Sequence, residues 1–343
     1  MSDIKFERVG MAGLITLGRP KALNALTEAM VRDMREALND WARDDGVGRV
    51  VVQAEGKAFC AGGDIRDIYT RRSDAAGFFQ AEYLNNAAVA AFPKPYIALM
   101  DGIVMGGGVG ISVHGSHRVA GDNLVFAMPE AGIGLVPDVG TTRVLAALPH
   151  QFGRYLALTG ATLGRDEATS MGLATHAVSS ERLHDALDRA VHARALDDAL
   201  DDLAADAEPL SEDLVAFVER VFDGDAVGAI LDQAESDERY EHAGAVAARM
   251  REKSPTSLTL ALELQKRHGE GTVEDALRAE YRAVSRILRG PDLYEGIRAT
   301  VIDKDKAPRW SPPNLSAVDP DEIAAHFEVP EEGDLPLTKG ATA

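Results

Sequence analysis

Two carboxylates that could do acid–base chemistry stand in the stretch AMPEAGIGLVPDVG, residues 127–140. They are Glu130 and Asp138, the only charged residues of that stretch. Each follows a proline, Pro129 or Pro137, which restricts the backbone where the acid is presented, and nearby glycines allow tight turns. A carboxylate held in this way can act as a general base or as a nucleophile. Because carboxylates are seldom fully buried, surface charges that meet helix N-termini are the alternative interpretation.

Two glycine-rich segments, KAFCAGGDI (57–65) and MGGGVG (105–110), follow strand-like runs. The second segment does not fit a dinucleotide fingerprint, because a further glycine is needed where Ile111 or Val113 stands, and no Gly-Lys-Ser/Thr triplet of a phosphate loop exists. Glycine does let a ligand oxygen approach unpaired peptide N–H groups, and two such turns can face one carbonyl oxygen as an oxyanion hole. Close strand-to-helix packing is the alternative.

The elements that must position these segments alternate between strand and helix in the first half of the chain. An amphipathic helix is predicted after Thr27, which can cap it. Alternating strands and helices predict an α/β domain with a mainly parallel sheet over residues 1–180. From residue 181 the sequence is acidic and helical, so we predict a helical region over 181–325 and a flexible tail over 326–343. The strand-like runs are 12–17, 49–54, 96–104 and 117–127.

Composition excludes several classes of protein. The 343 residues carry 36 Lys and Arg against 55 Asp and Glu, a formal net charge of -19, which argues against a nucleic-acid partner. A single cysteine, Cys60, excludes a disulfide framework, and the isolated pair His114 and His117 predicts no metal site. The N-terminal residues show neither a signal peptide nor a long apolar run, so we expect a cytoplasmic protein without a membrane partner.

Four segments together resemble the crotonase, or enoyl-CoA hydratase/isomerase, superfamily, whose members bind acyl-CoA thioesters. They are RPKALNAL (19–26), KAFCAGGDI, MDGIVMGGGVGISVHG (100–115) and AMPEAGIGLVPDVG. The resemblance spans roughly residues 10–325 in ordered motifs. It implies an α/β fold of the crotonase type, a spiral of ββα units with a helical C-terminal region.

The resemblance also implies roles for single residues. The thioester oxygen is expected between the peptide N–H groups of Gly63 and Gly107. Hydratases of the superfamily carry a glutamate shortly after the glycine triplet, where this chain has Gly110. Because that first glutamate is missing, hydration of an alkene is not expected. The second glutamate of the hydratases is matched by Glu130, which remains as nucleophile or general base. The sequence does not choose between those two roles.

Further residues are implied to contact the substrate. Asp138 is expected to hold a 3-hydroxyl group or to orient water, and Glu82 matches another substrate-contacting position. Asp64 is also a candidate helix cap. The other expected substrate-binding residues are Lys21, Ala22, Leu23, Asp64, Ile65 and Arg66.

The implied activity is hydrolysis of an acyl-CoA thioester, with 3-hydroxyisobutyryl-CoA as the expected substrate, as in valine degradation. CoA is then part of the substrate, and neither a metal nor another cofactor is expected. Two alternatives stay open: an enoyl-CoA hydratase or isomerase, and a CoA-binding protein without catalysis. The expected partner is a small-molecule acyl-CoA, and assembly into a homo-oligomer is left open.

Overall fold

The computed structural model describes residues 3–337, and its strands form two sheets in that range. The strands are β1 (Ile4–Val9), β2 (Ala12–Leu17), β3 (Arg49–Ala54), β4 (Ala58–Cys60), β5 (Tyr96–Met100), β6 (Ile103–Met105), β7 (His117–Ala120), β8 (Val125–Ala127) and β9 (His176–Ala177). The larger sheet has the order β1-β2-β3-β5-β7-β9 and the smaller one β4-β6-β8. Only the β1–β2 hairpin is antiparallel among these pairs.

The order of the strands makes the chain a spiral. The pairs β3/β4, β5/β6 and β7/β8 each place one strand in the larger sheet and the next strand in the smaller sheet. Each turn of the spiral then stacks parallel to the previous one. The predicted crotonase-type α/β fold is confirmed.

Two of the predicted strands are each two strands with a corner between them. The run 96–104 breaks at residues 101–102, because Gly102 adopts a φ of +71° and a Cβ there would collide with the carbonyl oxygen of Lys57. The run 117–127 is likewise divided, because β7 ends at Ala120 and β8 begins at Val125. In both cases turn-forming residues, Asp101 and Gly102 or Gly121 to Asn123, separate two apolar stretches. Hydrophobicity alone does not assign the two stretches to different sheets.

The helices after β9 agree with the predicted helical character of the second half. The α-helices are α1 (Glu28–Arg43), α2 (Ile65–Arg71), α3 (Ala76–Ala90), α4 (Gly107–Gly110), α5 (Thr141–Ala146), α6 (Phe152–Thr159), α7 (Arg165–Ser170), α8 (Leu183–His192), α9 (Leu196–Asp201), α10 (Glu212–Val221), α11 (Val227–Ser236), α12 (Ala243–Arg251), α13 (Pro255–His268), α14 (Val273–Ile287), α15 (Asp292–Ile297) and α16 (Pro320–Ala325). Thr27 caps α1, as predicted, by accepting a hydrogen bond from the Met30 N–H at 3.3 Å. Within residues 3–337 no helix combines the length and the apolar character that a bilayer crossing requires.

Two late helices connect the helical region to the spiral. Helix α13 packs on α5 and α6, and α14 packs on α3 and α5, so the apolar side chains of both regions share one core. Leu335 is buried in that core, and Asp334 pairs with Arg282. The boundaries at 180 and 325 stay predictions, and residues 338–343 of the expected tail lie outside the described residues.

Candidate active site

Two glycine turns meet at the C-terminal ends of β4 and β6. The Leu26 N–H donates to the Gly62 carbonyl at 2.8 Å, and the Asp64 N–H donates to the Leu26 carbonyl at 2.9 Å, which fixes the turn that holds Gly63. Gly107 is the first residue of α4. A Cβ placed on Gly62 would lie 3.6 Å from the Gly107 nitrogen, so the two turns are in contact.

Both glycines leave their N–H groups open. Within residues 3–337 neither the Gly63 nor the Gly107 N–H donates to a protein acceptor. A side chain is excluded at each position, because a Cβ on Gly63 would lie 2.7 Å from the Phe78 ring and one on Gly107 would collide with the Glu82 carboxyl. The two turns therefore present unpaired peptide donors to the same space, which is the geometry that an oxyanion requires.

Three carboxylates face that space. Glu82 lies on α3, Glu130 begins the short 3₁₀ helix after β8, and Asp138 lies in the loop before α5, with exposures of only 2%, 5% and 3%. Glu82 Oε1 and Glu130 Oε2 have no hydrogen-bond partner among the described residues. All three line a cavity of about 400 Å³ that Gly63 and Gly107 also line.

Burial and mutual repulsion raise the pKa of each acid. For Glu130 the causes are burial and then the charge of Asp138, and for Glu82 they are burial and then the charges of Asp138 and Glu130. Burial raises the pKa of Asp138 to about 7, although the Tyr83 hydroxyl acts in the opposite direction. Three negative charges are unfavourable in one small cavity, so burial and mutual repulsion favour the protonated forms of these acids, which can act as proton donors or acceptors.

Hydrogen bonds hold both the Asp138 side chain and the backbone that follows it. The Tyr83 hydroxyl donates to Asp138 Oδ2 at 2.5 Å. The loop that follows is anchored by Glu280 of α14, which accepts hydrogen bonds from the Gly140 N–H at 2.6 Å and the Thr142 N–H at 2.9 Å. A buried acid of the helical region therefore fixes the backbone next to an acid of the cavity.

The space beside Gly110 is filled. Val139 has a φ of +56°, which is strained for a β-branched residue, and its carbonyl lies 2.7 Å from His114 Nε2. A Cβ on Gly110 would lie 2.7 Å from the Val139 Cβ and 2.8 Å from the Asn86 amide nitrogen. Any side chain at Gly110, and above all a carboxylate, requires these neighbours to move.

The structure brings some of the predicted substrate-binding residues to the cavity and leaves others outside its wall. Ile65 lines the cavity with Glu82, but Lys21 and Ala22 are exposed on the 3₁₀ turn Pro20–Ala22. The half-buried Leu23 accepts a hydrogen bond from the Ala61 N–H at 3.0 Å. Those residues lie on the segment that pairs with the Gly63 turn.

Two charged members of that set, Asp64 and Arg66, have protein partners. Asp64 caps α2 and pairs with Arg19 at 3.0 Å, so this arginine is occupied by the fold. Arg66 is exposed and donates to the Val301 carbonyl at 3.2 Å. The substrate contacts of these residues stay predictions.

Three residues of the site escaped the sequence interpretation. Tyr83 directly follows Glu82, Lys253 lines the cavity from the segment between α12 and α13, and Glu280 lies on the buried face of α14. Only Glu280 leaves a signal in the sequence, since it falls four residues after Ala276 and four before Val284 on an otherwise apolar stripe.

The family described as Enoyl-CoA hydratase/isomerase matches residues 12–327. The chain belongs to this family. Among the curated relatives of this chain, the mitochondrial 3-hydroxyisobutyryl-CoA hydrolase of Danio rerio is 39% identical over 98% of this chain and 92% of its own length. The Homo sapiens enzyme of that name is 38% identical over 97% and 90%.

Two solved structures of the family are similar over nearly the whole chain. A structure titled carnitinyl-CoA dehydratase, from Mycobacterium thermoresistibile, has a TM-score of 0.91 and 38% identity, covering 97% of this chain and 98% of its own. A structure titled enoyl-CoA hydratase, from Rhodobacter sphaeroides 2.4.1, has a TM-score of 0.88 and 38% identity, covering 98% and 100%.

The relatives correct one expectation. The cytoplasmic location expected from the N-terminal residues is wrong, because the curated relatives at 36–40% identity are all named as mitochondrial enzymes. Residues 3–337 contain no group of three or more His, Cys, Asp or Glu side chains arranged to hold a metal ion. The expectation that no metal or other cofactor takes part stays a prediction.

Proposed function

We propose that this family member hydrolyses 3-hydroxyisobutyryl-CoA to 3-hydroxyisobutyrate and CoA, a step of valine degradation. The names of its curated relatives support a thioester hydrolase. The observation that carries the proposal is the filled space beside Gly110. A second carboxylate cannot stand there without displacing Val139 and Asn86, so Glu130 has no partner acid at the hydratase position.

The remaining groups suit attack on a thioester. The carbonyl oxygen is placed between the N–H groups of Gly63 and Gly107, where each donor contributes about 3 to 4 kcal/mol to stabilising the developing oxyanion. Glu130 then either attacks the carbonyl carbon to form a mixed anhydride, which water hydrolyses, or removes a proton from an attacking water. In both routes the C–S bond breaks and the departing thiolate takes a proton. Asp138 holds the 3-hydroxyl group, and Glu82 contacts the acyl chain.

The cavity receives the acyl group, and the rest of CoA lies outside it. We assign the CoA contacts to Lys21, Ala22 and Leu23, and further substrate contacts to Asp64, Ile65 and Arg66. Lys21 and Arg66 are exposed and can meet phosphate groups. The absence of nucleic-acid and membrane partners stays a prediction, and homo-oligomer formation stays open.

A second candidate is an enoyl-CoA hydratase, because two structures at 38% identity carry dehydratase or hydratase titles. Hydration requires a second carboxylate that activates water beside Gly110, in the space that Val139 and Asn86 fill in this chain. The two candidates differ in their products, since only hydrolysis releases a free thiol.

A thiol-release assay over a panel of acyl-CoA esters tests the proposal. We expect rapid CoA release from 3-hydroxyisobutyryl-CoA and a loss of about 10²- to 10⁴-fold in Glu130→Gln. Retained CoA binding by this variant separates a catalytic defect from misfolding. Asp138→Asn should impair 3-hydroxylated substrates more than plain acyl-CoAs, and Glu263→Gln, a half-buried position on α13 outside the cavity lining, is the matched control. Crotonyl-CoA hydration that exceeds any thiol release would refute the proposal, and CoA binding without turnover would identify a binding protein.

A further inference from the structure

One cation reaches the acid cavity, and it comes from the helical region. Lys253 follows α12 and precedes α13, and it is the one Lys or Arg among the described residues that line the cavity. Its own N–H donates to the Met250 carbonyl at 3.0 Å, and the next N–H, of Ser254, donates to the Ala131 carbonyl at 3.1 Å. The backbone of Lys253 is therefore tied directly beside Glu130.

Two glycines make room for the lysine side chain. A Cβ on Gly132 would lie 3.2 Å from Lys253 Nζ, and one on Gly160 would lie 3.8 Å from it. Gly160 also lies against Pro129, since a Cβ added to Gly160 would be 3.2 Å from the Pro129 Cα. The ammonium group thus occupies a notch formed on both sides of the chain that presents Glu130.

The ammonium group is half-buried and free to interact. It has no hydrogen bond or ion pair within 4.0 Å to any residue of 3–337. Burial lowers the pKa of Lys253, the charges of Glu252 and Glu130 raise it, and Arg249 lowers it. A buried cation without a partner is costly, so a nearby anion is its natural counterpart.

We propose that Lys253 is a positioning residue of the active site, and that its ammonium group is the counter-charge of the Glu130 carboxylate during thioester hydrolysis. The inference rests on the proposed function, because it assumes that ionised Glu130 starts the reaction. The groups facing Glu130 are Asp138 from the loop before α5, Glu82 from α3 and Lys253. Only the last of these has a positive charge.

The neighbours of Glu130 act with opposite sign. The negative charge of Asp138 favours the protonated carboxyl, whereas the positive charge of Lys253 favours the carboxylate. Because Glu130 must be ionised to attack or to accept a proton, activity rises with pH through the pKa of Glu130. Removing the lysine charge should raise the pKa of Glu130 by roughly one unit and move the increase in activity to higher pH by the same amount. At pH values below that pKa the rate should fall about tenfold, because the ionised fraction of Glu130 falls about tenfold.

The pH dependence of thiol release from 3-hydroxyisobutyryl-CoA tests the inference in Lys253→Met, Lys253→Arg and the control Lys266→Met. Lys266 lies on the surface of α13 and pairs with Glu263 at 3.0 Å. We expect the pH at which thiol release increases to be higher in Lys253→Met than in wild type, and to be unchanged in Lys253→Arg and Lys266→Met. An unchanged profile in Lys253→Met, or an equal displacement in Lys253→Arg, would overturn the proposal.

A second measurement separates this inference from the proposed function. The Glu130 carboxyl can be titrated by ¹³C NMR of the ligand-free protein, with its signal assigned through Glu130→Gln. We expect a higher pKa of Glu130 in Lys253→Met and a lower one in Asp138→Asn. If wild type releases no thiol, the proposed hydrolysis fails, and this titration alone decides the role of Lys253. An equal pKa of Glu130 in wild type and Lys253→Met would refute the pairing in either case.

Discussion

The substitution Glu280→Gln tests how a buried acid of the helical region stabilises the loop that follows Asp138. Glu280 is fully buried and accepts hydrogen bonds from two N–H groups, of Gly140 and Thr142, through different oxygens. Burial raises the pKa of Glu280 from 4.5 to about 8, assisted by the charge of Asp138 and opposed by the two N–H groups. The folded protein therefore binds this proton more tightly than the unfolded chain does.

The sign and size of the effect follow from that difference. The proton on Glu280 stabilises the folded state fully below about pH 4.5, and this contribution is lost as the pH rises towards 8. The loss is about 1.4 kcal/mol per pH unit, or about 3 kcal/mol between about pH 5.5 and 7.5. Glutamine does not titrate, but its single acceptor oxygen leaves one buried N–H unpaired, at a cost of about 1–3 kcal/mol at every pH.

Urea unfolding at several pH values between about 5.5 and 7.5 measures the free energy of unfolding of wild type and of Glu280→Gln. We expect Glu280→Gln to be less stable than wild type at the acidic end, and the difference should close or reverse at the alkaline end. Glu263→Gln is the control, because Lys266 and Arg267 lower the pKa of this glutamate and it stays ionised throughout the range. A constant difference between wild type and Glu280→Gln across the range would show that Glu280 does not titrate there.

Three further predictions follow from single contacts. Gly110→Ala should lower the free energy of unfolding in urea by about 1–3 kcal/mol, because its Cβ would lie 2.7 Å from the Val139 Cβ; an unchanged stability would contradict the filled space. Tyr83→Phe removes the hydrogen bond to Asp138 and should raise the pKa of that acid above about 7, as measured by ¹³C titration. A thiol reagent should modify Cys60 only after denaturation, because burial raises the pKa of its thiol to about 12, and rapid labelling of the native protein would refute this.

Local signals predicted the elements with simple periodicity. The strands Ala12–Leu17 and Arg49–Ala54 coincide with the predicted runs, and the capped helix after Thr27 is present. The corner at residues 101–102 was missed although Asp101 and Gly102 are typical turn residues, because the apolar stretches on either side together resemble one strand. That the second stretch belongs to another sheet depends on its pairing with β4 and β8, which no local pattern reveals.

Motifs predicted much of the cavity wall, since Gly63, Gly107, Glu82, Glu130 and Asp138 all line it. They could not reveal the contacts between distant parts of the chain. The Glu280 bond to the Gly140 N–H spans 140 residues. A buried charge on an amphipathic helix signals that a partner exists, but only the tertiary structure identifies that partner.

The helical region is part of the chemistry as well as part of the fold. The spiral supplies the proposed oxyanion donors and the three cavity acids, and the helical region adds Glu280 behind Asp138 and Lys253 beside Glu130. Glu280 is a further buried acid whose pKa is raised partly by the charge of Asp138, and Lys253 is a cation whose charge lowers the pKa of Glu130. Protonation decides which carboxyl can attack or accept a proton. The three cavity acids lie before the predicted boundary at residue 180, but part of the charges that set their ionisation lie after it, so both regions are needed for the proposed chemistry.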